Sequence, residues 1–341
     1  MLIELQKNTI AVLFDRVFQH HQNFPAIAAV DGETFSFRQV QEKSRALSSL
    51  LLARGIKPGD RVAIIGDNCP EWVIAYISLT TVGIVAVPIL TGFPDMDTRH
   101  IIRNAECVAA FVMGKYVSKL EGLHQSTLQA IFDLENIDDS HFEEDYLDAK
   151  QRLPKATARI DQLPQPEPED LAAIIYTSGT TGHSKGVMLT HGNFLSNVEA
   201  ALEAIKVTEE DVFLSFLPLS HIFERMAGHF LATHAGANIA YAENIETVAQ
   251  NLQEVHPTVM TSVPRFFEKI YARLLDSLEE GPPTKKKIFL WAIGVGKKAN
   301  LYKQKGLPLQ GTLKMKYKVA DKLVYSKLRE RMGGRARLFV S

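Results

Sequence analysis

Tyr176-Thr-Ser-Gly-Thr-Thr-Gly-His-Ser-Lys-Gly186 decides how this chain is read. The run follows an apolar stretch, Leu171 to Tyr176, and precedes a second one that begins at Val187. Gly179 and Gly182 permit sharp backbone turns and close approach to a ligand. Successive backbone N–H groups in such a loop form an anion-binding nest. Thr177, Ser178, Thr180 and Thr181 add hydroxyls, and Lys185 adds a positive charge. The set suits a polyphosphate. The loop is not a Walker A sequence, which requires Gly directly before the Lys and Ser or Thr after it. Here Ser184 precedes Lys185 and Gly186 follows. The spacing predicts strand, loop, strand, without the helix dipole that a Walker loop exploits. On composition alone, a flexible Ser/Thr/Gly hairpin without a ligand would read the same way.

Outward from this loop, short apolar strands alternate with amphipathic helices. Ser36-Phe-Arg-Gln39 carries a capping-box pattern at a helix start, and Val40, Leu47, Leu50 and Leu51 then share a face up to Gly55. Lys57-Pro-Gly-Asp60 predicts a turn and Arg61 to Ile65 a strand. Trp72 to Leu90 has no charged residue and is long enough to cross a bilayer. Thr80, Thr81, Gly83 and Pro88 interrupt it, so it reads as a buried helix from Glu71 to about Val82 that runs into a buried strand, Ile84 to Val87. Further strands are expected at Val108–Val112, Leu171–Tyr176, Val212–Phe216, Asn238–Tyr241, Thr258–Thr261 and Arg337–Ser341, with about two long helices after Pro283. This rhythm predicts an α/β fold of layered, largely parallel sheets with flanking helices. The acidic, proline-bearing stretch from Asp133 to Asp170 reads as a surface crossing between two lobes, about 1–165 and 166–341.

The formal net charge of the 341 residues is −1, with 46% hydrophobic and 23% charged residues. That balance marks a globular chain and points to no polyanionic partner or nucleic acid. The average hides an asymmetry. From Thr284 to Ser341, 12 Lys and 4 Arg stand against Asp321 and Glu330, a balance of +14. Such a segment suits a membrane surface or a nucleic acid, or is simply a set of solvated helix faces. Cys69 and Cys107, two in so long a chain, make neither a disulfide framework nor a zinc set and predict a reducing, cytoplasmic setting. The start Met1-Leu-Ile-Glu-Leu-Gln-Lys7 lacks a signal-peptide pattern.

Thr177-Ser-Gly-Thr-Thr-Gly-His-Ser-Lys-Gly-Val187 resembles the phosphate loop of the AMP-forming adenylate-forming enzymes, with Ser184 where that family usually has Pro. Asp60 to Trp72 resembles the family's early strand and helix. Phe216-Leu-Pro-Leu-Ser-His-Ile-Phe-Glu-Arg225 is similar to its next motif in the form favoured by long-chain fatty acyl-CoA synthetases, and Ser262–Lys269 and Phe289–Lys297 look like the same branch.

The resemblance implies an AMP-binding domain in which a fatty carboxylate and ATP give acyl-AMP and pyrophosphate, and coenzyme A then gives acyl-CoA. It implies that Lys185 and the Ser178, Gly179, Thr180, Thr181 and Gly182 backbone hold the β- and γ-phosphates. Thr177 would contact Mg²⁺, His221 would face the adenylate and acyl pocket, and Phe223 would line that pocket. His183 takes no role. The bland readings stay open beside these: a structural His221, a core Phe223, Glu224 and Arg225 paired with each other, and Thr190, His191 and Asn193 capping a helix. Pro264 and Arg265 either shape the pocket wall or start a surface helix.

The family's later motifs and its small C-terminal domain are absent from these residues. The reading therefore expects a truncated N-terminal domain over 1–341 that does not complete thioester formation alone. A non-catalytic nucleotide- or fatty-acid-binding module is the competing reading. No strand-to-helix nucleophile elbow and no His-Cys metal set supports other chemistry. The basic segment fits peripheral contact with anionic lipid on the inner face of a membrane.

Overall fold

A computed structural model describes residues 7–123, 126–136, 160, 162–177, 184–242 and 244–341. The chain forms two compact units, Met1–Thr247 and Val248–Ser341. The lobe boundary expected near residue 165 falls inside the first unit, because the strand that starts at Leu171 pairs with one formed by residues 85–88.

In the first unit the α/β alternation gives two sheets. One has the strand order β6-β5-β3-β4-β7-β8, with β3 Arg61–Ile65, β4 Val85–Pro88, β5 Cys107–Val112, β6 Ala130–Asp133, β7 Leu171–Thr177 and β8 Lys185–Thr190. All its pairings are parallel except β7 with β8. The other contains β9 Val212–Ser215, β10 Asn238–Tyr241, β1 Pro25–Ala29 and β2 Thr34–Ser36, in that order, with only the β1–β2 pair antiparallel.

Local chemistry sets the helices. Helix α1 is Ile10–His21, capped by the Thr9 hydroxyl. Helix α2, Phe37–Ala53, starts with the expected capping box between Ser36 and Gln39 and buries Val40, Leu47, Leu50 and Leu51. The apolar run that could be mistaken for a membrane span becomes helix α3, Pro70–Thr80, in which every residue but Glu71 is buried, and then the fully buried β4. Each fully buried large apolar side chain there contributes about 1.5–3 kcal/mol. No helix among the described residues is long and apolar enough to cross a membrane. Helix α4, Asp95–Asn104, packs Ile101 and Ile102 against Ala63, Val87 and Ala110 of the sheet.

Helix α5, His191–Ala204, follows β8 with a capping box of its own, Thr190 with Asn193. The residues after β9 form a π-helical turn, Glu224–Phe230, that continues into the short helix α6, Leu231–His234. Most of the stretch from Asp133 to Asp170 lies outside the described residues.

The second unit holds helix α7, Val248–Val255, and the parallel pair β11 Val259–Thr261 and β12 Leu338–Val340. Between these strands run α8 Pro264–Glu279, α9 Pro283–Gln304, α10 Gly311–Ala320 and α11 Ser326–Arg331, the last two joined by a π-helical turn at Asp321–Tyr325. Phe289, Ala292 and Val295 of α9 pack with Ala320 and Val324, and the Tyr325 hydroxyl donates to the Ala292 carbonyl at 2.6 Å. Gly333 has φ +84°, and a Cβ there would stand 2.3 Å from the Leu252 carbonyl oxygen, so only glycine closes this turn.

Candidate functional site: a glycine-rich hairpin and an adjoining loop

Strands β7 and β8 form the hairpin that the sequence predicts around residues 178–184. Their register sets Thr177 directly opposite Lys185, Tyr176 opposite Gly186 and Ile175 opposite Val187. Thr177 and Lys185 are therefore set at the mouth of the loop, one on each strand, and both residues are exposed. Gly186 fixes that register sterically. A Cβ at Gly186 would lie 2.9 Å from Ile174 and 3.0 Å from the Tyr176 ring, so β8 lies against the β7 side chains. Tyr176 is itself tied down, its hydroxyl donating to Asn104 Oδ1 at 2.5 Å. Ser178, Gly179, Thr180, Thr181, Gly182 and His183 lie outside the described residues.

Thr177 ends a strand that runs parallel to β4, and through it to β3 and β5, so it stands on the edge where those strands also end. Ligands of open α/β sheets bind at that edge. The turn after β3 carries Asp67 and Asn68. Asp67 accepts from the Tyr116 hydroxyl at 2.9 Å and pairs with Lys115. Asn68 reaches the loop after β9, donating to the Leu217 carbonyl at 2.7 Å and to the Ser215 hydroxyl at 3.3 Å while accepting the Leu219 N–H at 2.8 Å. The sequence reading assigned Asn68 no role. The signal available for it was its place in a strand-to-helix turn at the carboxyl edge of the sheet.

The loop held by Asn68 carries His221. Its backbone N–H donates to the Pro218 carbonyl at 2.8 Å, closing a turn. Its Nδ1 accepts from the Phe223 N–H at 3.2 Å, which leaves the ring proton on Nε2. His221 is exposed and Phe223 half-buried. Thus Thr177 and Lys185 are brought together, whereas His221 stands on the adjoining loop. Among the described residues no hydrogen bond joins it to either of them.

Beneath this loop lies a buried polar layer. Glu224, Arg225 and His229 are almost wholly excluded from solvent. The expected Glu224–Arg225 pairing does not occur: both Glu224 carboxylate oxygens lack a hydrogen-bond partner, as do Nε and Nη2 of Arg225. Neighbours in a helix point in different directions. Arg225 instead sits over the Tyr76 ring at 5.0 Å and the Phe194 ring at 5.7 Å, with a long hydrogen bond to the Leu219 carbonyl, 3.4 Å. Burial pushes the Glu224 carboxyl up to about 8, against a smaller opposing effect of Ser215. Burial, reinforced by the Arg225 charge, pushes His229 down to about 3, and its Nδ1 lies 3.3 Å from the Tyr241 hydroxyl.

Thr190 and Asn193 cap α5 as expected. His191 does something else: its Nδ1 accepts the Ile10 N–H at 3.2 Å, tying the start of α1 to the start of α5, and burial pushes it down to about 4. Pro264 is the first residue of α8, the helix-start alternative for that segment.

The donors at the hairpin mouth, one hydroxyl and one ammonium, fit a phosphate group. Among the described residues no three His, Cys, Asp or Glu side chains gather as metal ligands. That donor set fits Mg²⁺ only in the way a nucleotide carries it, held mostly by phosphate and water oxygens.

Comparison with known proteins agrees with this architecture. The AMP-binding enzyme family matches residues 14–336. Long chain acyl-CoA synthetase 1 of Arabidopsis thaliana is 32% identical over 332 residues, an alignment that covers 90% of this chain and 47% of the relative. Long-chain-fatty-acid--CoA ligase 5 of Rattus norvegicus is 29% identical and aligns over 90% of this chain and 46% of its own. The chain thus spans about half the length of the curated relatives it matches. Among solved structures, a fatty acyl-adenylate ligase of L. pneumophila, crystallised with acyl adenylate and pyrophosphate, superimposes with a TM-score of 0.62 at 22% identity, over 77% of this chain and 46% of that one. The N-terminal domain of FACL13 from Mycobacterium tuberculosis gives 0.63 at 20%, over 76% and 64%. At these identities the structures establish the fold. From the match over most of its length, this chain belongs to the AMP-binding enzyme family.

Proposed function

We propose that the chain binds the phosphates of ATP at the β7–β8 hairpin and serves the activation of a long-chain fatty acid, first to acyl-AMP and then to acyl-CoA. The observation that carries this reading is the cross-strand placement of Thr177 opposite Lys185 at the mouth of a Ser/Thr/Gly loop. The long-chain acyl-CoA synthetases among its relatives favour the substrate class.

In this reading a carboxylate oxygen of the fatty acid attacks the α-phosphorus of ATP. The bond to the bridging oxygen breaks, and pyrophosphate leaves. The attack brings an anion to a polyanion, so the work of the protein is neutralisation and positioning. Lys185 and the loop from Ser178 to Gly182 hold the β- and γ-phosphates. Thr177 Oγ1 is the protein contact for Mg²⁺, which when bound supplies further charge neutralisation at the phosphates. His221, its Nδ1 occupied by Phe223, offers an Nε2–H donor to the adenylate, and Phe223 flanks the acyl chain. The thiol of coenzyme A then displaces AMP from the acyl carbon.

The test is ATP·Mg²⁺ binding by calorimetry together with acid-dependent pyrophosphate release, for the chain and for Lys185→Ala. Lys185 is exposed, so its removal should leave the melting temperature unchanged while weakening ATP by about tenfold or more, as for a charge-assisted phosphate contact. Unchanged ATP affinity would sink the phosphate assignment. Affinity that depends on Lys185 without acid-dependent pyrophosphate release would instead favour the binding-module reading.

A further inference from the structure

We infer that Arg225 is the centre of a buried binding site for a small inorganic anion of chloride size, set between α3 and the π-helical turn that follows the His221 loop. Arg225 is 0% exposed. A charge in an apolar interior is kept there by a counter-charge and by hydrogen bonds. Among the described residues no carboxylate acts on this one: besides burial, only the Tyr76 hydroxyl influences its ionisation. The adjacent Glu224 carboxyl acts elsewhere, on Tyr241, and faces Ser215. The Tyr76 and Phe194 rings attract the guanidinium at 5.0 and 5.7 Å, but a ring carries no net charge to neutralise it. The oxygen partner that Arg225 has is the Leu219 carbonyl, 3.4 Å from Nη1.

The orphaned groups select the ligand. Nε and Nη2 of Arg225 have no partner, and they share one edge of the planar guanidinium. Two parallel N–H groups on such an edge form the fork that takes an anion. The other groups left over in this layer agree in kind. Trp72 Nε1 can only donate and the Tyr76 hydroxyl can donate, and both are buried without a partner. The Trp72 and Tyr76 rings stack at 5.5 Å and the guanidinium lies over Tyr76, so the three side chains belong to one layer. Water would satisfy the donors and leave the charge, whereas an anion answers both. Because the layer is closed to solvent, it suits an ion about as large as a water molecule rather than a phosphate ester or the head of an acyl chain. Arg225 also holds the Leu219 carbonyl while Asn68 holds the Leu219 N–H, so an anion on the fork braces the loop of His221 from below. This inference does not depend on the phosphate-site reading.

The test is urea unfolding of the full chain as potassium chloride replaces potassium gluconate at constant ionic strength, together with anomalous diffraction from crystals soaked in bromide. Constant ionic strength holds the screening of the basic segment fixed. Stability should rise with chloride. Beyond half-saturation the folding equilibrium constant should gain about tenfold for each tenfold rise in chloride, as for one ion bound by the folded chain alone. Bromide should give an anomalous peak within hydrogen-bonding reach of Arg225 Nε and Nη2. Arg225→Met keeps an unbranched stem and should lose the chloride dependence. Trp72→Phe removes a single N–H and should weaken chloride without abolishing its effect. If Arg225→Met does not fold, the bromide peak and Trp72→Phe carry the decision. Chloride-insensitive stability of the unaltered chain would overturn the inference, as would a bromide map without that peak. So would a chloride dependence that Arg225→Met leaves unchanged, or one that appears only in Glu224→Gln, which would make Glu224 the partner of Arg225.

Discussion

Glu224 holds a proton that an ordinary glutamate would have lost. Its carboxyl is pushed from 4.5 up to about 8, so between these values the folded chain binds a proton that the unfolded chain does not. Stability from this group therefore falls as pH rises through that window. His191 and His229 act with the opposite sign. Their values of about 4 and about 3 lie below the usual 6.5, so stability from them is lost as pH falls from about 6.5, and burial lowers His21 and His234 in the same direction. The two effects offset one another between about 4.5 and 6.5. From 6.5 to 8 the Glu224 contribution stands alone among these groups. Glu224→Gln, which keeps the shape and removes the titration, should flatten the decline in denaturant midpoint over pH 6.5–8. A variant that keeps the wild-type slope would place the titrating group elsewhere.

At the scale of elements, the loop after β9 owes its shape to Asn68, a side chain from a different sheet. Asn68→Ala removes the acceptor for the Leu219 N–H and the donor to the Leu217 carbonyl, and should cost about 1–3 kcal/mol in urea unfolding. It should also weaken whatever His221 holds, without touching Lys185. A loss confined to stability, with His221-dependent binding intact, would make Asn68 purely structural.

The elements themselves were legible in the sequence wherever one chemical signal set them. The Ser36–Gln39 box started α2, and the uncharged run from Trp72 divided at Gly83 into α3 and β4 as the interruptions implied. The hairpin was legible because its Gly and Ser/Thr residues fall between two apolar runs. What sequence could not show was long-range partnership. Asn68 lies 147 residues from Ser215, and His191 reaches back 181 residues to Ile10, so neither contact leaves a local pattern. Glu224 and Arg225 misled for the converse reason: adjacency in sequence suggested a pair, and the helix turned them apart. The break between compact units at Thr247 likewise carries no proline or charge cluster comparable to the one before Asp170.

For the molecule as a whole, a net charge of −1 conceals a basic end and an acidic remainder. Near neutral pH and low salt the chain should be retained on both cation- and anion-exchange resins. Flow through the cation exchanger would show that the positive charge of residues 284–341 is masked. Resistance to opening should also vary from place to place. Strand β8 is last in its sheet order, bonded to β7 alone, and largely exposed, whereas β3 is enclosed between β4 and β5. The lysine proposed to grip phosphate thus rides on an exposed edge strand, not on an enclosed one. Deuterium should enter residues 185–190 long before 61–65, and saturating ATP should slow only the former. Ligand capture would then be recorded as a local delay in isotope uptake, with the interior keeping its own time.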